Sequence, residues 1–490
     1  MVAATGGHID VVRFLVIDCG ADMNTKDDYG RTALMVAATV GHIDVVRFLV
    51  IDCGVDVNTK DNFGGTALMM AATKAHIDVV RFLVIDCGAD VNTKDNSGGT
   101  ALMVAATGGH IDVVRFLVID CGADMNTKDD YGRTALMVAA TVGHIEVVRF
   151  LVIDCGVDVN TKDNFGGTAL MMAATKAHID VVRFLVIGCG ADVNTKDNSG
   201  GTALMKAARS GQIDVVQFLV NDCGADVNTM DTNGKTALMQ AAEGGHIEVV
   251  RFLVNDCGAD VNTKDNDGGT ALMMAVTGGH IEVVRFLVSD CPANVSAKNE
   301  NGYSATRFAA DHGYYAIVRL LTPFVLPDRQ VSTKNTGEGV AHNLLTSDRL
   351  SISFIPLFEV ELGEFCKQGD VGGDFRAKWL DADTVVKLFI PDASHSTFER
   401  EVRVWQKLRH PNVLKLYGVC QAGSDVNFFV CEYASQGSLT GHVNTLYTYS
   451  FGEGTPPSRW KYLHGAALGL AYLHERGIIH GDLRCSNILI

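Results

Sequence analysis

A chain of 490 residues, 47% of them apolar and 20% charged, holds enough material for more than one packed core and is too apolar for wholesale disorder. Its formal charge of −16 is uneven: residues 1–300 carry 38 acids against 23 bases, residues 301–490 carry 19 against 18. An acidic front of this kind repels phosphate backbones, which argues against nucleic acid, and no apolar run reaches the length a bilayer requires.

The chain opens inside a repeating unit, since Met1 corresponds to Met35. One full unit runs from Thr32 to Gly65, and Thr32 recurs as Thr66, Thr100, Thr134, Thr168, Thr202, Thr236 and Thr270, each 34 residues on, then as Ser304. Thr32 is a good N-cap for a first helix over Ala33–Ala38, which Gly41 ends. A second helix starts near His42, with Asp44 in the first turn, where the helix dipole favours an acid. Val46, Leu49 and Val50 fall on one face of it. Cys53-Gly54 stops it, and Asp61–Gly65 reads as a turn at a hairpin tip. Two short helices cannot bury such a face alone, so each copy must cover its neighbour.

The pattern G-x-T-A-L-x-x-A-A-x-x-G-H-x-x-V-V-x-x-L-V…G-A-D-V-N resembles the ankyrin repeat and covers residues 1–322 as an α-solenoid of about ten copies. Ala33 stands where a proline is usual, and each unit is one residue longer than the common ankyrin length, the extra residue lying near Asp52-Cys53. The resemblance implies protein partners held on the repeat surface, and a monomer is expected.

Residues 1–34 are identical to 103–136, and 35–102 match 137–204 except for Asp44 against Glu146 and Asp86 against Gly188. A start without a polar end repeat suggests an array that continued upstream, or a first helix that frays while the second repeat serves as cap. Residues 203–300 then diversify through Lys206, Arg209, Gln217, Thr232 and Gln240, mostly at positions expected to be exposed and to carry partner specificity. From Pro292 the pattern erodes towards a C-terminal cap.

Nine cysteines are locked to the repeat: Cys19, Cys53, Cys87, Cys121, Cys155, Cys189, Cys223, Cys257 and Cys291. Packed helices lie about 8–10 Å apart, whereas a disulfide needs Cα atoms within about 7 Å, so these stay free thiols. That suits a reducing, cytoplasmic setting, and the start shows no basic-then-apolar signal pattern. His42 precedes Cys53 by eleven residues, about 16 Å along a helix, too far for shared metal ligation. The repeat histidines, such as His42, are therefore expected to bond loop backbone, a role Gln212 can fill once.

Pro323 and Pro327 forbid a continued helix, and residues 323–352 read as linker. Residues 353–490 change to short strands and then a long helical stretch. Thr384–Phe389 is an apolar strand with one lysine, Lys387, followed by Glu401 on a helix-like run, His410-Pro411-Asn412, Phe429–Ala434 and His480-Gly481-Asp482-Leu483-Arg484-Cys485-Ser486-Asn487.

That ordered set resembles the protein kinase domain, in the tyrosine-kinase-like group of mainly Ser/Thr kinases, as an α+β N-lobe and the start of a C-lobe. The resemblance implies ATP and Mg²⁺ as cofactors. It implies that Lys387 holds the α- and β-phosphates and pairs with Glu401, under a loop containing Gly369 and Gly372. Cys431 is the implied gatekeeper, with the backbone of Glu432 and Ala434 at adenine. Asp482 would take the substrate hydroxyl's proton, Arg484 would stand near the transferred phosphate, and Asn487 would bind the metal.

Three departures weigh against catalysis. Lys367 takes the place of the first loop glycine, and Asp370 and Asp374 bring anions towards the phosphates, Asp374 in the usual valine place. Gly481 replaces the arginine beside the catalytic acid, which removes the usual grip on a phosphorylated loop. The sequence ends at Ile490, before any D-F-G, activation loop or A-P-E, so this chain is expected not to turn over and to expose the face of Leu463, Ala467, Leu470 and Leu473. Two readings stay open: a repeat-guided Ser/Thr kinase, or a non-catalytic ankyrin scaffold with a pseudokinase remnant.

Overall fold

The computed structural model describes residues 1–324, 360–369, 372–379, 382–389, 416–422, 426–432 and 466–471, with 408, 413 and 473. The chain forms two compact units, Met1–Asn266 and Asp267–Ile490. Among the described residues, no helix is long and apolar enough to cross a membrane.

Each repeat is an inner and an outer helix joined by a tight turn. The inner helix Ala33–Val40 begins at Thr32, whose backbone is extended and whose Oγ1 accepts from the Met35 amide at 3.4 Å. The expected cap is thus present, and it recurs down to Ser304, which accepts from the Arg307 amide at 3.2 Å. Thr134 departs from the rule: its buried hydroxyl has no hydrogen-bond partner. Gly41 ends the helix with φ of 85°, and a Cβ there would also strike the His76 ring of the next repeat. Ala75 and Ala177 take this place in two copies and are, among the described residues, the non-glycine residues with positive φ, at 60° and 64°.

The outer helix holds a finding that spacing alone did not reveal. In the copied block it runs α-helically over Ile43–Arg47 and then widens into a π-type turn, Phe48–Asp52, closed by the Cys53 amide on the Phe48 carbonyl at 3.2 Å. The wide turn lies where the extra residue is expected, near Asp52-Cys53, but it is not required by it, since the later copies keep the 34-residue length without it. In Ile213–Asn221, Ile247–Asn255 and Ile281–Ser289 the α-helix continues instead, with the Asp222 amide on the Phe218 carbonyl at 3.0 Å. The change coincides with Asn221, Asn255 and Ser289 replacing Ile51 of the unit.

The core forms between copies. Leu34, Met35, Ala37 and Ala38 of the inner helix and Val45, Val46, Phe48 and Leu49 of the outer helix are fully buried. Val50, expected on that face, is only half-buried; Val45 and Phe48 complete it instead. In the first copy Val11, Phe14 and Leu15 are exposed, although their counterparts Val45, Phe48 and Leu49 are buried. Burial in this fold therefore comes from the neighbouring copy. Asp61 makes the connecting turn, its Oδ1 accepting from the amides of Phe63 at 2.9 Å and Gly65 at 2.7 Å.

In the second unit the same helix pairs recur at Ala271–Thr277 with Ile281–Ser289 and at Ala305–Asp311 with Tyr315–Leu321. It also holds one antiparallel sheet of β1 (Val360–Gly369), β2 (Gly372–Trp379), β3 (Ala382–Phe389), β4 (Leu416–Ala422) and β5 (Val426–Glu432). The strand order is β1-β2-β3-β5-β4, which places β3, with Lys387, at the centre. In the helix at 466–471 and at 473, Leu473 is buried, Leu470 half-buried and Ala467 exposed, while the most exposed leucine is Leu468, off the expected face.

Candidate functional site

Register decides what surrounds Lys387. Antiparallel pairing sets Lys387 opposite Asp374 on β2 and opposite Phe429 on β5, and sets Asp374 opposite Lys367 on β1. Phe429 is in turn opposite Val419 on β4, so one row crosses all five strands. Directly opposed residues share a sheet face, and so do residues two apart on a strand. Val385 and Cys431, opposed to each other two residues from Lys387 and Phe429, therefore lie on the face of that lysine. Cys431 is buried, at 2% exposure.

Gly369 and Gly372 form the closing pair of the β1–β2 hairpin, and Glu432 is the last residue of β5, opposite Thr384. A lysine on the central strand, with glycine on both sides of the adjacent turn, suits a bound polyphosphate, because glycine lets backbone N–H groups approach closely. Asp374 in the same row works against it. Glu401, Ala434, Asp482, Arg484 and Asn487 lie outside the described residues.

Within Met1–Asn266 the interfaces carry periodic ladders, among them a histidine, a lysine and an arginine row. The His42 Nε2 lies 2.9 Å from the Thr5 carbonyl, His76 3.0 Å from Thr39, His110 2.9 Å from Thr73, His144 2.9 Å from Thr107 and His178 3.0 Å from Thr141. A carbonyl only accepts, so Nε2 carries the proton. Gln212 donates to Thr175 at 3.5 Å and Ser210 at 3.0 Å, filling the histidine's place as expected. Lys26, Lys60, Lys94, Lys128 and Lys162 each donate Nζ to the carbonyl of the lysine 34 residues on, at 2.7–2.8 Å. Arg47 stands over the Phe82 ring at 4.5 Å, and the contact repeats down to Arg183 over Phe218 at 4.4 Å.

Gln240 corrects one expectation. It is buried at 7% exposure, accepting from Arg209 at 3.1 Å and donating to Asp231 at 3.3 Å, while Lys235 and Glu243 pair at 3.1 Å beside it. Lys206 is half-buried and pairs with Asp197 at 2.6 Å. These substitutions tie neighbouring repeats together. Arg209, Gln217 and Thr232 are exposed. Larger exposed groups that the sequence reading passed over stand at the turn tips: Tyr29, Phe63, Tyr131 and Phe165. Their signal was available, as an aromatic after the turn's second residue.

The cysteine row is chemically quiet. All nine repeat cysteines are free thiols, as the helix spacing predicted. Burial, then the neighbouring Asp52, pushes the Cys53 thiol up, only partly offset by Arg13. Cys87, Cys121, Cys155 and Cys223 are raised for the same reasons.

The family description "Ankyrin repeats (3 copies)" matches residues 1–95, 85–163, 102–197, 136–231, 170–265 and 238–330. The chain belongs to the ankyrin-repeat family. Its residues 360–490 match "Protein tyrosine and serine/threonine kinase", so this ankyrin-repeat protein also carries a protein kinase domain. Similar proteins include mitogen-activated protein kinase kinase kinase zak-1 of Caenorhabditis elegans, 27% identical over 33% of this chain and 22% of the relative. Dual specificity protein kinase splA of Dictyostelium discoideum is 35% identical over 27% of this chain and 6% of the relative. Probable serine/threonine-protein kinase PBL4 of Arabidopsis thaliana is 38% identical over 20% of this chain and 23% of the relative. The ankyrin-repeat protein thus spans less than a quarter of each of these three relatives.

Proposed function

We propose that this ankyrin-repeat protein is a Ser/Thr kinase whose repeats choose the protein to be phosphorylated. The organisation we assign is an array at 1–322, a linker at 323–352 and a kinase domain at 353–490. The observation that carries the reading is the register of the sheet: a single lysine on the central strand, one face shared with buried Cys431, and a glycine-closed hairpin alongside.

In this reading ATP supplies the phosphoryl group. Lys387, paired with Glu401, holds its α- and β-phosphates beneath Gly369 and Gly372, and Cys431, Glu432 and Ala434 frame the base. Asn487 holds Mg²⁺, Asp482 accepts the proton of the protein hydroxyl, and Arg484 offsets charge on the transferred group. The acceptor protein rests on the exposed aromatic turn tips, in the cytoplasm.

The test is transfer of labelled γ-phosphate from MgATP to a mixed panel of basic proteins. Transfer that disappears in Asp482→Asn supports the reading. Equal label with and without that substitution removes it, and no label from these 490 residues, as expected from Lys367 and Asp374, favours the second reading for them. The second reading, a scaffold whose kinase domain does no chemistry, is favoured by one observation: an acid stands opposite Lys387.

A further inference from the structure

The row Lys367–Asp374–Lys387 is the least expected feature of the sheet. Asp374 is directly opposite Lys367 on one side and Lys387 on the other, and the three occupy one face. Directly opposed residues in an antiparallel pair hold their Cβ atoms about 4.5–5.5 Å apart, and opposite charges at such positions stabilise the pairing. A lysine serves a nucleotide phosphate only while its ammonium is available to that phosphate. An acid fixed by register at the neighbouring position competes for the same charge without any loss of translational freedom, as a tethered group does.

We propose that the Lys367–Asp374–Lys387 juxtaposition makes Asp374 an internal competitor of nucleotide phosphate for the two lysines. The row then sets nucleotide affinity. A polyphosphate gains Lys387 only by displacing a carboxylate that belongs to the fold, and Lys367, at the place of the first loop glycine, becomes the second cation that keeps the acid in the row. This deepens, and rests on, the kinase reading.

The experiment uses the full chain and ATP, with and without Mg²⁺, in calorimetric titration. Asp374→Val should tighten ATP binding at least tenfold, the nearly isosteric Asp374→Asn should reproduce most of that gain, and Lys387→Met should abolish it. A parallel double-mutant cycle of Asp374→Asn and Lys387→Met, read as melting temperature without nucleotide, should be non-additive. Equal ATP affinity in the intact protein and in Asp374→Val, with additive melting shifts, overturns the competitor and leaves the kinase reading standing. ATP binding by none of the variants overturns the kinase reading and the competition with it, and a non-additive cycle would then report the opposed pair alone.

Discussion

The copied block and the diversified repeats share one architecture but hold their interfaces by different means. In the copied block the histidine and lysine ladders end on backbone carbonyls, His76 on Thr39 and Lys60 on Lys94, and Arg115 with Asp154 at 3.4 Å is an exposed side-chain pair beside them. Around Arg209, Gln240, Asp231, Lys235 and Glu243, side chains bond to side chains. A bond to a carbonyl survives any substitution of the residue that owns it, so the first kind of interface can be duplicated freely. The second kind fixes its neighbours' identities.

Several measurements break or sharpen this contrast. The largest effect should be the same in both regions, because the apolar core is shared: Leu117→Ala and Leu219→Ala, each fully buried, should both cost about 2–5 kcal/mol in urea unfolding. A much smaller cost at Leu219 would mean that the diversified repeats rely on their polar cluster. Next, Gln240→Ala should cost about 0.5–1.5 kcal/mol by removing its hydrogen bonds to Arg209 and Asp231, whereas Met70→Ala and Met172→Ala at the equivalent places of the copied block remove no polar contact.

Ala75→Gly and Ala177→Gly should each stabilise by about 0.5–1 kcal/mol, since both alanines hold a positive φ that glycine adopts freely. No gain would mean that the alanine methyl packs well enough to offset the strain. Gln217→Arg should add about 0.5–1 kcal/mol by restoring the arginine-over-ring row that Gln217 interrupts, checked by melting against Arg81→Ala, which should lose a similar amount. The weakest perturbation is chemical. Burial raises the thiols of Cys53 through Cys223, so alkylation of the folded protein should lag that of the unfolded chain at neutral pH and accelerate only above the ordinary thiol range. The proton on each raised thiol contributes stability at low and neutral pH that is lost as pH climbs through the folded value.

Much of this was legible because the repeat imposes it. Thr32 had to cap, Gly41 had to stop a helix, and His42 had a backbone partner one copy away. The wide turn at Phe48–Asp52 was not legible, since copies of the same length form either a π-type turn or a continuous α-helix and only the hydrogen bonds distinguish them. Gln240 was misplaced because helical periodicity describes one helix, while its burial is decided by Arg209 of the preceding copy. The kinase strands announced their lysine by composition. What stands beside it depended on register, which two irregular steps along β1 shift in ways no sequence spacing predicts.

Interchangeable seams have a consequence for chain length. Excising residues 35–136 would join Leu34 to Met137, restoring an unbroken sequence of the same unit, and every carbonyl acceptor would meet an equivalent donor. Such an array tolerates shortening or lengthening by whole modules, much as a chain of identical links does, whereas a cut through Arg209–Glu243 leaves two ends that no longer match.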